Sequence, residues 1–313
     1  MGFQDKGQRH GSTLYSEVTD QIIAQLEEGI LPWVKPWDDG RVPLGLPRNG
    51  QTGRCYSGIN VLILWHMVFD RRFHWQRWVT YRQALAMGGH VRKGEQGTTV
   101  CYADKFIPKR NDAEQASGGE EPRQIAFLKR FTVFNLDQCE GLDDDSANGP
   151  VTRNEAVLIP RADALIEASG ADIRIGGDEA YYAPAFDHIV VPPPHIYYEP
   201  INWYRTALHE LGHWSGHPSR LDRLPKTSFG SPEYAREELV AEMASAFLCA
   251  ELGIVPTVRH ADYIGSWLSV LREDSKAIFR AASQASKAAD YLMNFLPPTE
   301  AGEDRVSEGR LAA

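Results

Sequence analysis

The sequence predicts an α+β fold in two domains, an N-terminal α+β domain followed by a mainly helical C-terminal domain with a small sheet, and three observations support it. Residues 98–106 and 125–134 are rich in β-branched and aromatic side chains and read as paired strands among helix-like segments. Residues 199–216, 232–251 and 261–295 are dominated by helical patterning. Between these regions, Asp143-Asp144-Asp145-Ser146-Ala147-Asn148-Gly149-Pro150 joins like charge to turn formers and marks a boundary. The division is therefore 1–142, a linker at 143–150, a second domain at 151–296, and an acidic tail at 297–313 expected to be disordered.

In chain order, Leu14, Tyr15, Val18, Ile22 and Leu26 recur at helical spacing, with Ser12 or Thr13 able to cap the helix and Gly29 to end it. Pro32-Trp33-Val34-Lys35-Pro36-Trp37 cannot continue a helix, and a Gly- and Pro-rich extended stretch runs to Gly53. Residues 59–69 are apolar enough for a buried helix, and Thr80 caps a short one stopped by Gly88-Gly89. The polar stretch 108–123 joins the paired strands as a flexible excursion. In the second domain, a helix at 161–168 leads to short strands at 172–175, 180–182 and 188–191, and Pro192-Pro193-Pro194 breaks that pattern before the helices begin.

The chain has 313 residues, 42% of them hydrophobic, and can bury a core. Without an apolar run of about 18 residues or an apolar leader, neither membrane insertion nor secretion is expected. Four scattered cysteines, Cys55, Cys101, Cys139 and Cys249, form no CxxC pair, which argues for a reduced, cytoplasmic protein. The net charge of −9 conceals an asymmetry: residues 41–110 hold twelve Lys and Arg against three acids, a net +9, so the remainder carries −18. One basic segment on an acidic chain points to a polyanionic partner for that segment.

His209-Glu210-Leu211-Gly212-His213 is an HExxH sequence in a helical segment, where positions i and i+4 share a face and two imidazoles can hold one metal ion. Glu210, offset on the same turn, is placed to take a proton from water at the metal as general base. Downstream, Glu238 and Glu242 share a helix face by their own i,i+4 spacing. This resembles the ExxxD pattern of gluzincins, with Glu238 as third ligand and Glu242 supporting a histidine from behind; Glu242 as the direct ligand is the alternative. A metzincin would need histidine where Ser219 stands. His188, His195, His217 and His260 are read as surface or supporting residues. Zn²⁺ suits two imidazoles and a carboxylate, and Mn²⁺ or another divalent ion is an option at such a site. The sequence names no transition-state donor; Tyr234 is a candidate by position alone.

Within the basic segment, Tyr56, Trp65, Phe69, Phe73, Trp75, Trp78, Tyr81, Tyr102 and Phe106 interleave with the cations. That mixture suits a single strand of DNA, whose phosphates meet cations and whose unpaired bases stack on rings. Arg54, Tyr56, Trp78, Arg82, Arg92 and Lys93, in or beside Gly-rich loops, are the contact candidates, with Tyr81 a further ring; Trp65 and Phe69 belong to a core.

These residues resemble plasmid-borne antirestriction proteins of the ArdC type. The first domain, shared with some conjugative primases, is similar through Leu31-Pro32-Trp33, Pro36-Trp37, Thr52-Gly53-Arg54-Cys55-Tyr56-Ser57-Gly58-Ile59-Asn60, Trp78-Val79-Thr80-Tyr81-Arg82-Gln83-Ala84 and Gly89-His90-Val91-Arg92-Lys93-Gly94. The second is similar through Thr206-Ala207-Leu208 before HELGH, Trp214 after it, Ser219-Arg220-Leu221 and Tyr234-Ala235-Arg236-Glu237-Glu238-Leu239. The resemblance implies a single-stranded-DNA-binding domain and a zincin-like metallopeptidase domain that together protect incoming plasmid DNA from host restriction during conjugation. Its protein substrate would be a component of the restriction system. The competing reading is a non-proteolytic DNA-binding protein, or a primase accessory, whose metal site is structural.

Overall fold

The chain is described by a computed structural model over residues 13–34, 42–106, 125–142, 155–224, 230–256 and 263–297. Pro36-Trp37, the whole 108–123 excursion, the 143–150 linker, His260 and the tail beyond Pro297 lie outside those residues.

The first helix, α1 (Leu14–Glu27), starts where Thr13 and Ser16 cap each other: the Thr13 hydroxyl accepts the Ser16 N–H at 3.2 Å, and the Ser16 hydroxyl accepts the Thr13 N–H at 2.9 Å. Gly29 takes a φ of 75° to leave the helix. Next come β1 (Arg48–Asn49), the apolar α2 (Ile59–Asp70), β2 (Arg77–Val79) and α3 (Tyr81–Ala86), the last capped reciprocally by Thr80 and Gln83. After β3 (His90–Val91), the long strands β4 (Thr98–Phe106) and β5 (Ile125–Asn135) pair antiparallel from Thr98↔Val133 to Phe106↔Ile125. Then β6 (Cys139–Glu140) returns to pair with β3, and the larger sheet has the order β1-β2-β5-β4. Asn60 of α2 closes the outer edge of β4: its amide donates to the Cys101 carbonyl at 2.7 Å and its oxygen accepts the Cys101 N–H at 2.8 Å.

The second region contains α4 (Glu155–Ser169), a three-stranded sheet and four further helices. In that sheet β7 (Asp172–Ile175) runs parallel to the central β9 (His188–Val191), and β8 (Tyr181–Ala183) runs antiparallel to it on the other side. The helices are α5 (Pro200–Trp214), α6 (Pro232–Leu252), α7 (Ile264–Glu273) and α8 (Ala277–Met293). Proline at the first turn presets φ in both α5 and α6; Ser231 caps α6 by accepting the Tyr234 N–H, and Gly253 at φ 77° ends it. Gly212 and Ala241 meet where α5 and α6 cross, and a Cβ on Gly212 would stand 3.4 Å from Ala241 Cα. The crossing therefore has room for a methyl group and little more.

The two regions share one continuous hydrophobic core. Tyr15 packs edge-on against Phe279 with centroids 4.7 Å apart, Trp33 against Trp267 at 5.4 Å, and Trp65 against Phe247 at 5.7 Å. The Gly58 N–H, ahead of α2, donates to the Ser286 hydroxyl on α8 at 2.8 Å. Helices and long strands stand where the sequence pattern expects them, whereas β1, β3 and β6, of two residues each, are findings of the structure.

Candidate functional site

The α5–α6 crossing turns His209 and His213 of one helix toward Glu238 of the other. His209 Nε2 lies 3.5 Å from Glu238 Oε2, and His213 Nε2 lies 3.5 Å from Glu238 Oε1. The ligand atoms of all three residues fall within 4.8 Å of one another, and all three residues are buried or nearly so. Two donors bound tetrahedrally to Zn²⁺ at about 2.1 Å stand about 3.4 Å apart. The spacing and the nitrogen and oxygen donors therefore fit one divalent ion held between the helices.

Behind the histidines stand two more carboxylates. Glu242 Oε1 is 3.9 Å from His209 Nδ1, on the opposite side of the ring from Glu238. His213 Nδ1–H donates to Glu237 at 3.1 Å, and the buried Arg223 grips Glu237 in turn, with Nη2 at 2.9 Å from Oε1 and Nε at 3.2 Å from Oε2. Arg223 also donates to the Ser215 hydroxyl at 2.8 Å and to the Gly212 carbonyl, tying the end of α5 to the start of α6. The Glu237 bond fixes which ring nitrogen of His213 carries the proton. Sequence reading missed Glu237 and Arg223. The acidic doublet Glu237-Glu238 was the available sign of the first, whereas Arg223 lies outside any helical period.

The charges follow from burial and neighbours. Burial opposes charge on Glu238, but the facing imidazoles outweigh it and hold the carboxyl well below its usual range. Burial likewise opposes charge on His213, and the Glu237 and Glu238 carboxylates outweigh it and lift the imidazole to about 10. Glu210 moves upward because burial dominates its two flanking histidines. The Tyr182 backbone amide, on β8, bonds Glu210. Arg220 fastens that strand to the end of α5: it lies 3.9 Å over the Trp214 ring and donates to Asp187 at 3.0 Å and to the Tyr182 hydroxyl at 3.2 Å. A cleft of about 400 Å³ opens over His209 and Glu210, walled by Asp178 and Glu179 on one side and Pro192, Ile196 and Tyr197 on another. Tyr234 touches Glu238 and Tyr263 through its hydroxyl, and burial, then these two contacts, raise its pKa. Among the other histidines, His217 lies 2.7 Å from the Ser219 hydroxyl, His188 is buried on β9 and His195 is exposed; none joins the trio.

On the basic segment the structure corrects two expectations. Trp78 is fully buried, edge-on to Phe73, and Tyr56, in the loop before α2, is 3% exposed, so neither ring can meet a base. Trp78 lies on the three-residue β2 and Tyr56 in the loop before α2, both too short for an alternation of apolar and polar residues to distinguish inside from outside. Tyr81 is 53% exposed and Arg82 and Lys93 are exposed, whereas Arg54 is half-buried. The Arg92 guanidinium is engaged with Glu95 at 2.7 Å, and Glu95 is anchored by Gln138 at 2.9 Å. Glu95, steadied first by Gln138 and then by Arg92, is held below the usual carboxylate range. No described helix is long and apolar enough to cross a membrane.

Comparison with known proteins places both regions together. Residues 12–134 match the family model for the N-terminal domain of anti-restriction factor ArdC, and residues 160–284 match that for a zincin-like metallopeptidase. The chain is similar to the crystal structure of the antirestriction ArdC protein from plasmid R388 in its metal-free form, at 40% identity and a TM-score of 0.76, covering 91% of this chain and 98% of that one. Against the Mn(II)-bound structure the TM-score is 0.73 at the same identity. An uncharacterized protein of Sinorhizobium fredii, y4eC, is 38% identical over 92% of this chain and 94% of its own. A DNA primase TraC of Escherichia coli is 41% identical over 297 residues, 90% of this chain. The chain spans only 27% and 20% of the length of the two TraC primases it matches.

Proposed function

The chain belongs to the ArdC antirestriction family, and from that premise we propose that it binds single-stranded DNA and carries a metal-dependent peptidase site, protecting incoming plasmid DNA during conjugation. We assign DNA binding to residues 1–142 and the peptidase site to residues 151–296, acting in the cytoplasm. The observation carrying the peptidase reading is the trio of His209, His213 and Glu238 at 3.5 Å spacings, with Glu210 beside it at the floor of an open cleft. His209, His213 and Glu238 hold a divalent ion, with Zn²⁺ favoured by the donor set and Mn²⁺ an alternative, consistent with the Mn(II)-bound relative. When bound, the ion supplies Lewis acidity toward a peptide carbonyl and water.

The remaining roles belong to side chains. Glu210 accepts the proton of the attacking water and returns it to the leaving amine, and its upward-shifted pKa suits both transfers. The Tyr182 amide holds the Glu210 carboxylate in position, and Glu237 and Glu242 orient the imidazoles. The cleft admits an extended peptide of a protein substrate, a restriction-system component. The DNA reading draws on the +9 charge of residues 41–110 and the exposed Tyr81, Arg82 and Lys93.

The test measures metal content and turnover of restriction-system proteins by the full chain, with Glu210→Gln as control. Metal-dependent cleavage that Glu210→Gln abolishes is the expected result, and metal bound without turnover refutes the peptidase reading. Transfer of plasmid DNA into a restricting host separates the mechanisms. If Glu210→Gln protects fully while Lys93→Glu does not, DNA coverage alone is the mechanism. Lys93 serves better here than Arg92, whose reversal would also break its pair with Glu95.

A further inference from the structure

With Trp78 and Tyr56 in the core, the rings available to a DNA strand are elsewhere, and the β4–β5 ribbon presents two. Residues 129–132 of β5 are exposed at four successive positions, so both faces of that strand are open there. The register pairs Tyr102 with Lys129 and Val100 with Phe131, which places Tyr102, Lys129 and Phe131 on one face. Tyr102 is 40% exposed and Phe131 46%, with centroids 6.1 Å apart and planes at 89°. An edge-to-face pair covers only one ring face with its partner and leaves the others open. On the opposite face Arg130 is committed to Glu17 of α1 at 2.9 Å, which braces the ribbon against the body.

We propose that this face of the ribbon is the platform for an unpaired DNA strand, with Tyr102 and Phe131 stacking on bases and Lys129 meeting the phosphate between them. The proposal rests on the single-stranded-DNA reading above and locates it. Charge selects the occupant: Lys129 is the cation that the register sets beside the rings, and β4 belongs to the 41–110 segment with its net charge of +9, which favours a polyanion. The rings select its form, because a base offers its face only when out of the duplex. Exposed rings beside a lysine on a braced ribbon supply both parts of such a contact.

The experiment measures binding of the full chain to a labelled oligothymidine and to a duplex of equal length, with melting temperature recorded for every variant. The double variant Tyr102→Ala, Phe131→Ala is expected to bind oligothymidine about 10-fold or more weakly, as loss of base stacking does. Duplex affinity and melting temperature should stay essentially unchanged. The aromatic-conserving pair Tyr102→Phe, Phe131→Tyr should restore binding, and Lys129→Ala should lower the salt dependence by about one phosphate contact. A wild-type chain that prefers oligothymidine while the folded double-alanine variant matches it would overturn the platform alone. Equal losses on single and double strands would also overturn it, since stacking cannot act on paired bases. A wild-type chain with no preference for the single strand defeats the underlying DNA reading and this location with it.

Discussion

The metal centre and the DNA-facing surface distribute function in opposite ways. At the centre, a few side chains on two crossing helices are buried, with His209 2% and Glu238 3% exposed, and each is held by another. On the basic segment the candidate contacts outside the core are half-buried or exposed, scattered over loops, a short helix and a ribbon, and in places tied into local pairs such as Arg92–Glu95. Buried charges depend on their neighbours, because removing one partner leaves another uncompensated in a low dielectric. Exposed contacts act additively and under salt. Single substitutions should therefore be severe at the centre and graded on the surface.

The largest effect should come from the ligands. His209→Ala, His213→Ala and Glu238→Ala should each weaken metal binding by more than the roughly 10 to 100-fold typical of supporting residues, as read by metal titration. Loss of metal from Glu242→Ala as great as from Glu238→Ala would show that the two carboxylates exchange roles. Next is Trp78→Ala, which should lower folding stability by about 3–5 kcal/mol while leaving the DNA affinity of the folded fraction unchanged. A selective loss of DNA binding at full stability would return Trp78 to the surface and erase the contrast between the regions. Glu237→Gln and Glu242→Gln should each reduce metal affinity about 10 to 100-fold. Arg223→Lys should fall between wild type and Glu237→Gln, because a lysine keeps the charge but not the two-pronged grip.

The smallest effect concerns acid. Arg220, and to a lesser degree the Tyr182 hydroxyl, hold Asp187 below the usual aspartate range, while burial works the other way. A carboxyl depressed in the folded state contributes stability at pH values above its unfolded pKa, and that contribution fades as pH falls through the folded value. Wild type should therefore melt slightly above Asp187→Asn at neutral pH, by about 1 kcal/mol or less, and the curves should converge in acid. Asparagine is the suitable substitute because the position has a φ of 52°. A gap that widens on acidification would contradict the assignment.

Legibility in the sequence followed the range of the interaction. His209 and His213 announce themselves because both lie within one turn of one helix, where spacing alone sets the geometry. Glu238 and Glu242 were found by the same rule on a second helix. Glu237, one residue away, meets His213 only because of the angle at which α6 crosses α5, and periodicity does not encode that angle. Arg223 comes from a loop and arrives by tertiary packing. Trp78 and Tyr56 share a composition with real contact residues, and only their place in the core separates them: β2 has three residues, too few for alternation to reveal an inward face. Tyr102 and Phe131 were legible as strand residues, but their exposure depends on where α1 and α2 stop covering the ribbon.

The continuous core makes each region depend on the other for its packing. Tyr15, Trp33 and Trp65 complete their packing on Phe279, Trp267 and Phe247, which lie in the same helical layer that carries Glu238. Separating the two regions would open a large apolar surface on each of them to water. In the TraC primase of Escherichia coli the similarity runs through 297 residues, 90% of this chain, and so takes in both regions.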